Sequence, residues 1–201
     1  ANNMALKCAV RDLGVRRIIS SPTEHHCVLH SLDSIGTQEN KVEIVQVKLD
    51  EKGRVELEDL GRLLADQSQK TMVSLMHSNN EIGTMIDLRE IGALCEEHNA
   101  YFHSDTVQTM GYYPIDVEAT AISFLSGAAH KFYGPKGVGF IYINGDNIIK
   151  PFLDGGAQER NMRAGTENTY GIVGMATALD LAYQQREDRE QKIRSLRTYL
   201  C

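Results

Sequence analysis

Apolar residues along the chain recur at two spacings, one typical of amphipathic helices and the other of buried strands. Helical spacing covers residues 3–13 and, after an N-cap at Asp87, residues 88–98. Strand-like segments alternate with such helices along most of the chain. The pattern predicts strands at residues 17–20, 42–47, 71–76, 101–104, 121–125 and 138–143, and further helices at 23–32, 57–64 and 167–200.

This alternation determines the predicted fold class. Strands that are separated by helices of about ten residues pair in parallel through crossover connections. We therefore predict an α/β fold with a mostly parallel sheet and helices on both faces. In such sheets, ligands bind at the carboxyl ends of the strands.

The composition is that of an ordinary globular domain, since 42% of the 201 residues are hydrophobic and 24% are charged. The formal net charge is −6 and no dense basic run occurs, which argues against a nucleic-acid surface. No apolar stretch is long enough to predict a membrane span. The cysteines at positions 8, 27, 95 and 201 have wide, irregular spacings, which predict neither a zinc site nor a disulfide framework. We therefore expect a reducing, cytoplasmic compartment.

Polar side chains follow three of the predicted strands. Taken singly, each cluster has an ordinary explanation: Asp105 as a helix cap, paired asparagines in a turn, a histidine bonded to a backbone carbonyl, and Lys131 as a solvated lysine in a Gly-Pro turn. Three clusters on one edge of the sheet, beside one lysine, indicate a binding site instead. The clusters are residues 77–81, residues 105–108 and the pair His130 and Lys131.

The residue types at this edge match the needs of pyridoxal phosphate. That cofactor needs a lysine for a Schiff base, a carboxylate that keeps the pyridine nitrogen protonated, and a donor for its phenolic oxygen. Lys131, Asp105 and Gln108 are the candidates for these three roles. The phosphate needs backbone N–H groups or short side-chain donors, which residues 127–130 can provide.

Five motifs in order along nearly the whole chain carry a resemblance to a known family. They are Thr-Glu-His at 23–25, Met-His-Ser-Asn-Asn-Glu-Ile-Gly at 76–83, His-Ser-Asp-Thr-Val-Gln at 103–108, His-Lys-Phe-Tyr-Gly-Pro-Lys-Gly at 130–137, and Gly-Gly-Ala-Gln-Glu-Arg-Asn-Met-Arg-Ala-Gly-Thr-Glu-Asn at 155–168. This set resembles the cysteine desulfurases, a group within the class V aminotransferases of fold type I. The resemblance implies that residues 1–201 form the large, pyridoxal-phosphate-binding domain of such an enzyme.

The resemblance assigns roles around the cofactor ring. Lys131 would hold pyridoxal phosphate covalently, and Asp105 would pair with the ring nitrogen. Gln108 would bond the phenolic oxygen, and His25 would stack on the ring face. Lys131 and His25 would also carry protons during catalysis.

Further roles follow for the phosphate and the substrate. Asn80 would contact the cofactor or the substrate carboxylate, and His130 would help to hold the phosphate. Thr166 would reach the phosphate in a neighbouring subunit, which implies a homodimer. Two positions depart from the family pattern: Ala128 replaces the phosphate-binding serine, and Asn161 replaces a common glycine.

The resemblance also implies an internal fragment. The chain begins just after the family's Gly-Ala-Thr-Glu phosphate turn and ends at Cys201, before the small domain that carries the catalytic cysteine. None of the four cysteines is expected to replace that nucleophile. Cys27 follows His25 by two positions on a predicted helix, where such neighbours face different sides.

The complete enzyme is therefore expected to be a cysteine desulfurase. It would convert L-cysteine to L-alanine and an enzyme persulfide, and pass the sulfur to an acceptor or iron–sulfur scaffold protein. The fragment alone is expected to be inactive. Another class V enzyme, such as a selenocysteine lyase or a small-molecule aminotransferase, is an open alternative, as is a non-catalytic remnant that dimerises.

Overall fold

The computed structural model describes residues 1–37 and 42–201. Strands and helices alternate through the first half of the chain, and helices dominate its end. The strands are β1 (Arg17–Ser20), β2 (Glu43–Gln46), β3 (Thr71–Ser74), β4 (Tyr101–Asp105), β5 (Phe124–Ala128) and β6 (Gly139–Ile143). The helices are α1 (Asn2–Asp12), α2 (His26–Gly36), α3 (Leu57–Leu64), α4 (Leu88–Glu97), α5 (Gln158–Asn161), α6 (Thr169–Gln184) and α7 (Arg186–Leu200), with a 3₁₀ turn at Ala129–Lys131.

The six strands form one sheet in the order β2-β1-β3-β4-β5-β6. The first four pairings in this order are parallel, and only β6 pairs antiparallel, with β5. The predicted α/β fold with a mostly parallel sheet is confirmed. Because β1, β3, β4 and β5 are neighbours, their carboxyl ends lie side by side on one edge.

Helices cover both faces of the sheet, as the pattern of consecutive apolar residues in the strands requires. In β1, Ile18 belongs to the core beneath α1 and α2, and its neighbour Ile19 belongs to the opposite core. That opposite core includes Leu60 of α3 and Ile91 of α4. The four inner strands β1, β3, β4 and β5 are therefore buried on both sides, and the edge strands β2 and β6 are only partly buried.

Three predicted elements differ from the structure, one of them the helix predicted at 23–32, which is found at His26–Gly36 with His25 as its N-cap. The strand predicted at 121–125 is found at Phe124–Ala128, because the hydroxyl of Ser126 is buried and bonded inside the protein. The single helix predicted at 167–200 is wrong: α6 and α7 are separated at Gln185, whose backbone angles are φ −96° and ψ 9°. Beyond this break, the Arg189 guanidinium lies 5.0 Å from the centre of the Tyr133 ring.

Two helical glycines allow a test of helix-to-loop packing. Gly92 of α4 lies so close to the Thr120 carbonyl that a Cβ would overlap the Thr120 oxygen. Gly92→Ala should therefore lower the free energy of unfolding by roughly 1–3 kcal/mol. At Gly61 of α3 a Cβ would meet nothing within 4 Å, so Gly61→Ala should raise it by roughly 0.5–1 kcal/mol. Chemical denaturation of both variants measures the two changes in the free energy of unfolding. Equal changes would contradict the close contact of Gly92 with Thr120.

Candidate active site

The polar clusters predicted at the strand ends come together in the structure. The loop after β1 reaches the end of β3 through Glu24, whose Oε1 accepts a hydrogen bond from the Met76 N–H at 2.9 Å. The end of β3 joins β4, since the His77 N–H donates to the Asp105 carbonyl at 3.0 Å. The end of β4 joins β5, since the Thr106 N–H donates to the Ser126 carbonyl at 3.1 Å. One continuous edge therefore carries all three clusters.

Asp105 lies at the centre of this edge, at the end of β4, and only 5% of its surface is exposed. Its Oδ1 accepts a hydrogen bond from the Val107 N–H at 3.0 Å, as a capping residue does. Its Oδ2 accepts from the Asn2 side-chain amide at 2.7 Å. An ionised carboxylate has about four acceptor positions, so Asp105 retains capacity for a further cationic donor.

His25 is the N-cap of α2, and its Nδ1 accepts a hydrogen bond from the Cys27 N–H at 3.2 Å. The neutral imidazole therefore carries its proton on Nε2. The prediction that His25 and Cys27 face different sides is wrong, because His25 lies before the first residue of α2. The Cys27 Sγ is 3.0 Å from His25 Nδ1 and 3.8 Å from Asp105 Oδ2.

Although Cys27 lies among charged and polar groups, its thiol is not activated. Burial is the main cause that raises the pKa of Cys27 above its ordinary value, and the nearby Asp105 raises it further. A protonated thiol is a poor nucleophile. Cys8 and Cys95 are fully buried in the cores, and Cys201 is exposed at the end of the chain.

Lys131 ends the 3₁₀ turn that follows β5, and its side chain is exposed. The turn is anchored on both sides: Phe132 is fully buried, and the Gly134 N–H donates to the Ala129 carbonyl at 2.8 Å. The Tyr112 hydroxyl also donates to the Lys131 carbonyl at 3.1 Å. Across residues 1–37 and 42–201, no hydrogen bond or ion pair engages the Lys131 amine. The backbone of the turn is thus fixed, and the role of the Lys131 amine stays a prediction.

The two asparagines after β3 have different positions. Asn79 is buried: its amide donates to the Thr23 carbonyl at 2.7 Å, and its Oδ1 accepts from the Glu81 N–H at 2.7 Å. Asn79 therefore builds the turn, as the ordinary explanation proposed. Asn80 is exposed and donates to the Glu81 carboxylate at 2.7 Å. Its contact with a cofactor or substrate stays a prediction.

Gln108, His130 and Thr166 are the remaining predicted site residues. Gln108 is half-buried in the turn that follows Asp105, and His130 is exposed next to Lys131. Thr166 is exposed beyond α5, on the segment that leads to α6. The roles of all three stay predictions.

The structure shows the surroundings of the two departures from the family pattern. Ala128 is half-buried at the end of β5, and the nearby Ser126 cannot replace the missing hydroxyl there, because its Oγ donates to Asn2 Oδ1. Asn161 has a φ of 64°, in the left-handed region that asparagine tolerates better than most residues. Asparagine can therefore stand where a glycine is common.

Two residues of this site, Asn2 and His103, were missed from the sequence. His103 is fully buried two positions before Asp105, so both side chains lie on the same face of β4. Burial lowers the pKa of His103 well below its ordinary value. The period of two along the strand is a signal that could have found His103. Nothing near Asn2 in the sequence indicates its contact with Asp105, which is 103 positions away.

Glu24 makes stability depend on pH. Burial raises the pKa of this carboxyl from 4.5 to about 8, so the folded protein holds a proton that the unfolded chain releases above about pH 4.5. The contribution of Glu24 to the free energy of unfolding should therefore fall between pH 5 and pH 8, by roughly 2–4 kcal/mol. In Glu24→Gln, the free energy of unfolding should no longer show this fall between pH 5 and pH 8. In the exposed control Glu97→Gln, the fall should be that of the wild type. Equal pH profiles for the wild type and Glu24→Gln would contradict the assignment.

The chain matches the family model of the class-V aminotransferases over residues 1–201. Together with the fold and the arrangement of the strand-end residues, this match defines the class of protein. The chain belongs to the class-V aminotransferase family.

Within this family, the chain is similar to proteins named cysteine desulfurases. It is 41% identical over 204 residues to cysteine desulfurase IscS of Dictyoglomus turgidum, covering 99% of this chain and 50% of the relative. It is 40% identical over 205 residues to a mitochondrial cysteine desulfurase of Arabidopsis thaliana, covering 100% of this chain and 44% of the relative. A solved NifS-like protein superposes with a TM-score of 0.92 at 34% identity, over 99% of this chain and 55% of the solved one. The chain spans about half the length of the relatives that it matches.

Proposed function

We propose that this chain provides the cofactor-binding part of a cysteine desulfurase. The observation that carries the proposal is the free Lys131 amine on an anchored turn, at the same sheet edge as the buried carboxylate of Asp105. The identity of about 40% to two cysteine desulfurases supports the same activity. The substrate would be L-cysteine and the products L-alanine and an enzyme-bound persulfide.

The donor set suits pyridoxal phosphate. When bound, this cofactor supplies an electron-withdrawing ring that stabilises negative charge at the α-carbon of an amino acid. Asp105 presents a buried carboxylate with an acceptor position for a protonated ring nitrogen, and the Lys131 amine is available for covalent attachment. Gln108 would bond the phenolic oxygen, and His130 would bond the phosphate.

Two residues of this chain are placed to move protons. In the proposed reaction, the Lys131 amine takes the α-proton of the amino acid and later returns a proton to the product. His25 presents its Nε2 to solvent, because Nδ1 is held by the Cys27 N–H. His25 can therefore exchange protons without losing its orientation at the N-cap.

The proposed reaction requires groups that lie outside the candidate site. Since burial keeps Cys27 protonated, the persulfide would form on a cysteine of another segment, as the resemblance implies. We further propose a homodimer in which Thr166 contacts the phosphate bound to the neighbouring subunit. The sulfur would pass to an acceptor or iron–sulfur scaffold protein. Residues 1–201 would form one large domain, with α6 and α7 leading toward the small domain.

The compartment stays a prediction. In the part of the chain that the structure describes, no helix is both long and apolar enough to cross a membrane. We propose a cytoplasmic location from the irregular spacing of the cysteines. The similar protein of Arabidopsis is named as mitochondrial, so the location needs a direct test by fractionation.

The proposed activity is tested with protein expressed from the complete open reading frame. With pyridoxal phosphate, L-cysteine and a reductant, we expect equal amounts of alanine and sulfide. L-selenocysteine and L-alanine with a keto acid serve as alternative substrates in parallel reactions. A strong preference for selenocysteine or transamination would replace the proposal with a different class V activity. No cofactor absorbance at all would favour a non-catalytic, dimerising protein.

A further inference from the structure

A chain of buried hydrogen bonds runs across the sheet behind the candidate site. Ser74 Oγ lies 2.9 Å from His103 Nδ1, and His103 Nε2 lies 3.2 Å from Asn2 Oδ1. The amide of Asn2 then donates to Asp105 Oδ2 at 2.7 Å. All four side chains are at least nine-tenths buried, so water does not compete for these bonds. This series of hydrogen bonds links β3, β4 and helix α1.

The charge of Asp105 fixes the orientation of the Asn2 amide. An ionised carboxylate oxygen only accepts hydrogen bonds, so the NH₂ group of Asn2 must be the group that faces it. Asn2 Oδ1 then points inward, where it accepts from Ser126 Oγ and from His103 Nε2. The reverse orientation would place two acceptors 2.7 Å apart.

The same logic sets the tautomer of His103. Its burial disfavours the charged form, so the ring has a single N–H. Because Asn2 Oδ1 cannot donate, that N–H is on Nε2, and Nδ1 accepts from the Ser74 hydroxyl. The donor and the acceptor of each hydrogen bond in this series are therefore fixed, beginning with the carboxylate of Asp105 as acceptor.

Asn2 also connects Asp105 to the start of helix α2. Its amide lies 3.0 Å from the Cys27 Sγ, and Cys27 in turn donates its N–H to His25. The two protons of the Asn2 amide thus reach two groups of the candidate site, while its oxygen holds the buried network. No other described side chain contacts Asp105, Cys27, His103 and Ser126 together.

We propose that Asn2 is a positioning residue, which aims the Asp105 carboxylate at the candidate site and fixes His103 in its Nε2-protonated tautomer. Its effect on catalysis rests on the proposed function, whereas its effect on His103 does not. Removal of Asn2 should leave Asp105 with one donor fewer and release His103 from its tautomer.

The test uses protein from the complete open reading frame, labelled with ¹⁵N-histidine and freed of cofactor. In the wild type, NMR should show His103 protonated on Nε2. In Asn2→Leu, which removes the acceptor, the proton should move to Nδ1, where Ser74 Oγ can accept it. Asn3→Asp is the matched control, since Asn3 is the next residue of α1 and is exposed. This control should leave the tautomer unchanged.

A second measurement follows the affinity for pyridoxal phosphate. Asn2→Asp retains an acceptor for His103 but places a second carboxylate against Asp105. Its affinity should fall roughly tenfold to a hundredfold, while the tautomer of His103 stays that of the wild type. The Asn3→Asp control should bind within about twofold of the wild type. If Asn2 only stabilised the fold, the cofactor affinity and the His103 tautomer would change together rather than independently.

A double variant covers the case in which Asn2→Leu does not fold. Asn2→Asp combined with Asp105→Asn exchanges donor and acceptor at nearly constant volume, so folding and the His103 tautomer should be retained. Its cofactor affinity should still be at least about tenfold low, since the charge has moved away from the site. Wild-type affinity in the double variant, or an unchanged tautomer in folded Asn2→Leu, would overturn the proposal. If the wild type binds no cofactor, the proposed function fails while the tautomer result still decides the role of Asn2.

Discussion

Lys131→Ala should abolish covalent attachment of pyridoxal phosphate and reduce alanine formation from L-cysteine by at least about 10⁴-fold. The reason is that one amine is expected both to hold the cofactor and to move the α-proton, and a positioned proton-transfer group alone contributes roughly 10²–10⁴ in rate. Borohydride reduction followed by peptide mapping should locate the pyridoxyl label on Lys131. The fold should be preserved, because the side chain is exposed and Phe132 anchors the turn.

Lys136 is the matched control for this substitution. It lies five positions further along the same Gly-Pro turn and is also exposed. Lys136→Ala should keep the label on Lys131 and retain near-normal turnover. A label on Lys136, or substantial turnover by Lys131→Ala, would remove Lys131 from its proposed role.

Asp105→Asn should lower the turnover of L-cysteine by about a hundredfold or more. The substitution nearly preserves the shape, but the new amide oxygen can accept from only one of the two donors, Val107 N–H or Asn2, and the amide nitrogen then faces the other. What it removes is a negative charge, and a hydrogen bond to a charged group contributes roughly 1.5–3 kcal/mol. The loss of one buried hydrogen bond should also lower the thermal unfolding midpoint, so turnover is compared at a temperature where both proteins are folded.

Asp116→Asn is the control for Asp105→Asn. Asp116 also caps a turn, since its Oδ1 accepts from the Glu118 N–H at 3.0 Å, but it lies outside the candidate site. Cofactor binding and turnover should both be unaffected there. If α-proton exchange measured in deuterium oxide were equal in Asp105→Asn and the wild type, the carboxylate would have no part in the reaction.

Local sequence patterns predicted most of the sheet because the inner strands bury short apolar runs between two helical layers. Strand β5 shows where this approach fails. In the sequence the polar Ser126 ends an apolar run, but its hydroxyl is satisfied by Asn2, 124 positions away. A bond between residues so distant leaves no trace in the local pattern, so the strand was predicted three residues too early.

The candidate site, like the sheet, could be predicted only where neighbouring residues in the sequence carry the signal. The residue types at the predicted strand ends, and then the motif resemblance, pointed to Lys131 and Asp105 as candidates, and their roles stay predictions. Neither could place Asn2 or the Cys27 thiol, because their contacts depend on how α1 and α2 pack against the sheet. The break at Gln185 was missed because neither glycine nor proline marks it in the sequence.

The strand order has a kinetic consequence. Asn2, His25, Asp105 and Lys131 come from four distant parts of the chain and lie near one edge of the sheet only when β1, β3, β4 and β5 are aligned. Contacts of such long range are slow to form, so the site assembles late in folding rather than in an early local unit. A ligand that binds only the assembled site would add about 2.7 kcal/mol to the stability of the whole sheet at a hundred times its dissociation constant. The cofactor would then act as a folding aid, able to rescue variants whose defect lies far from the chemistry.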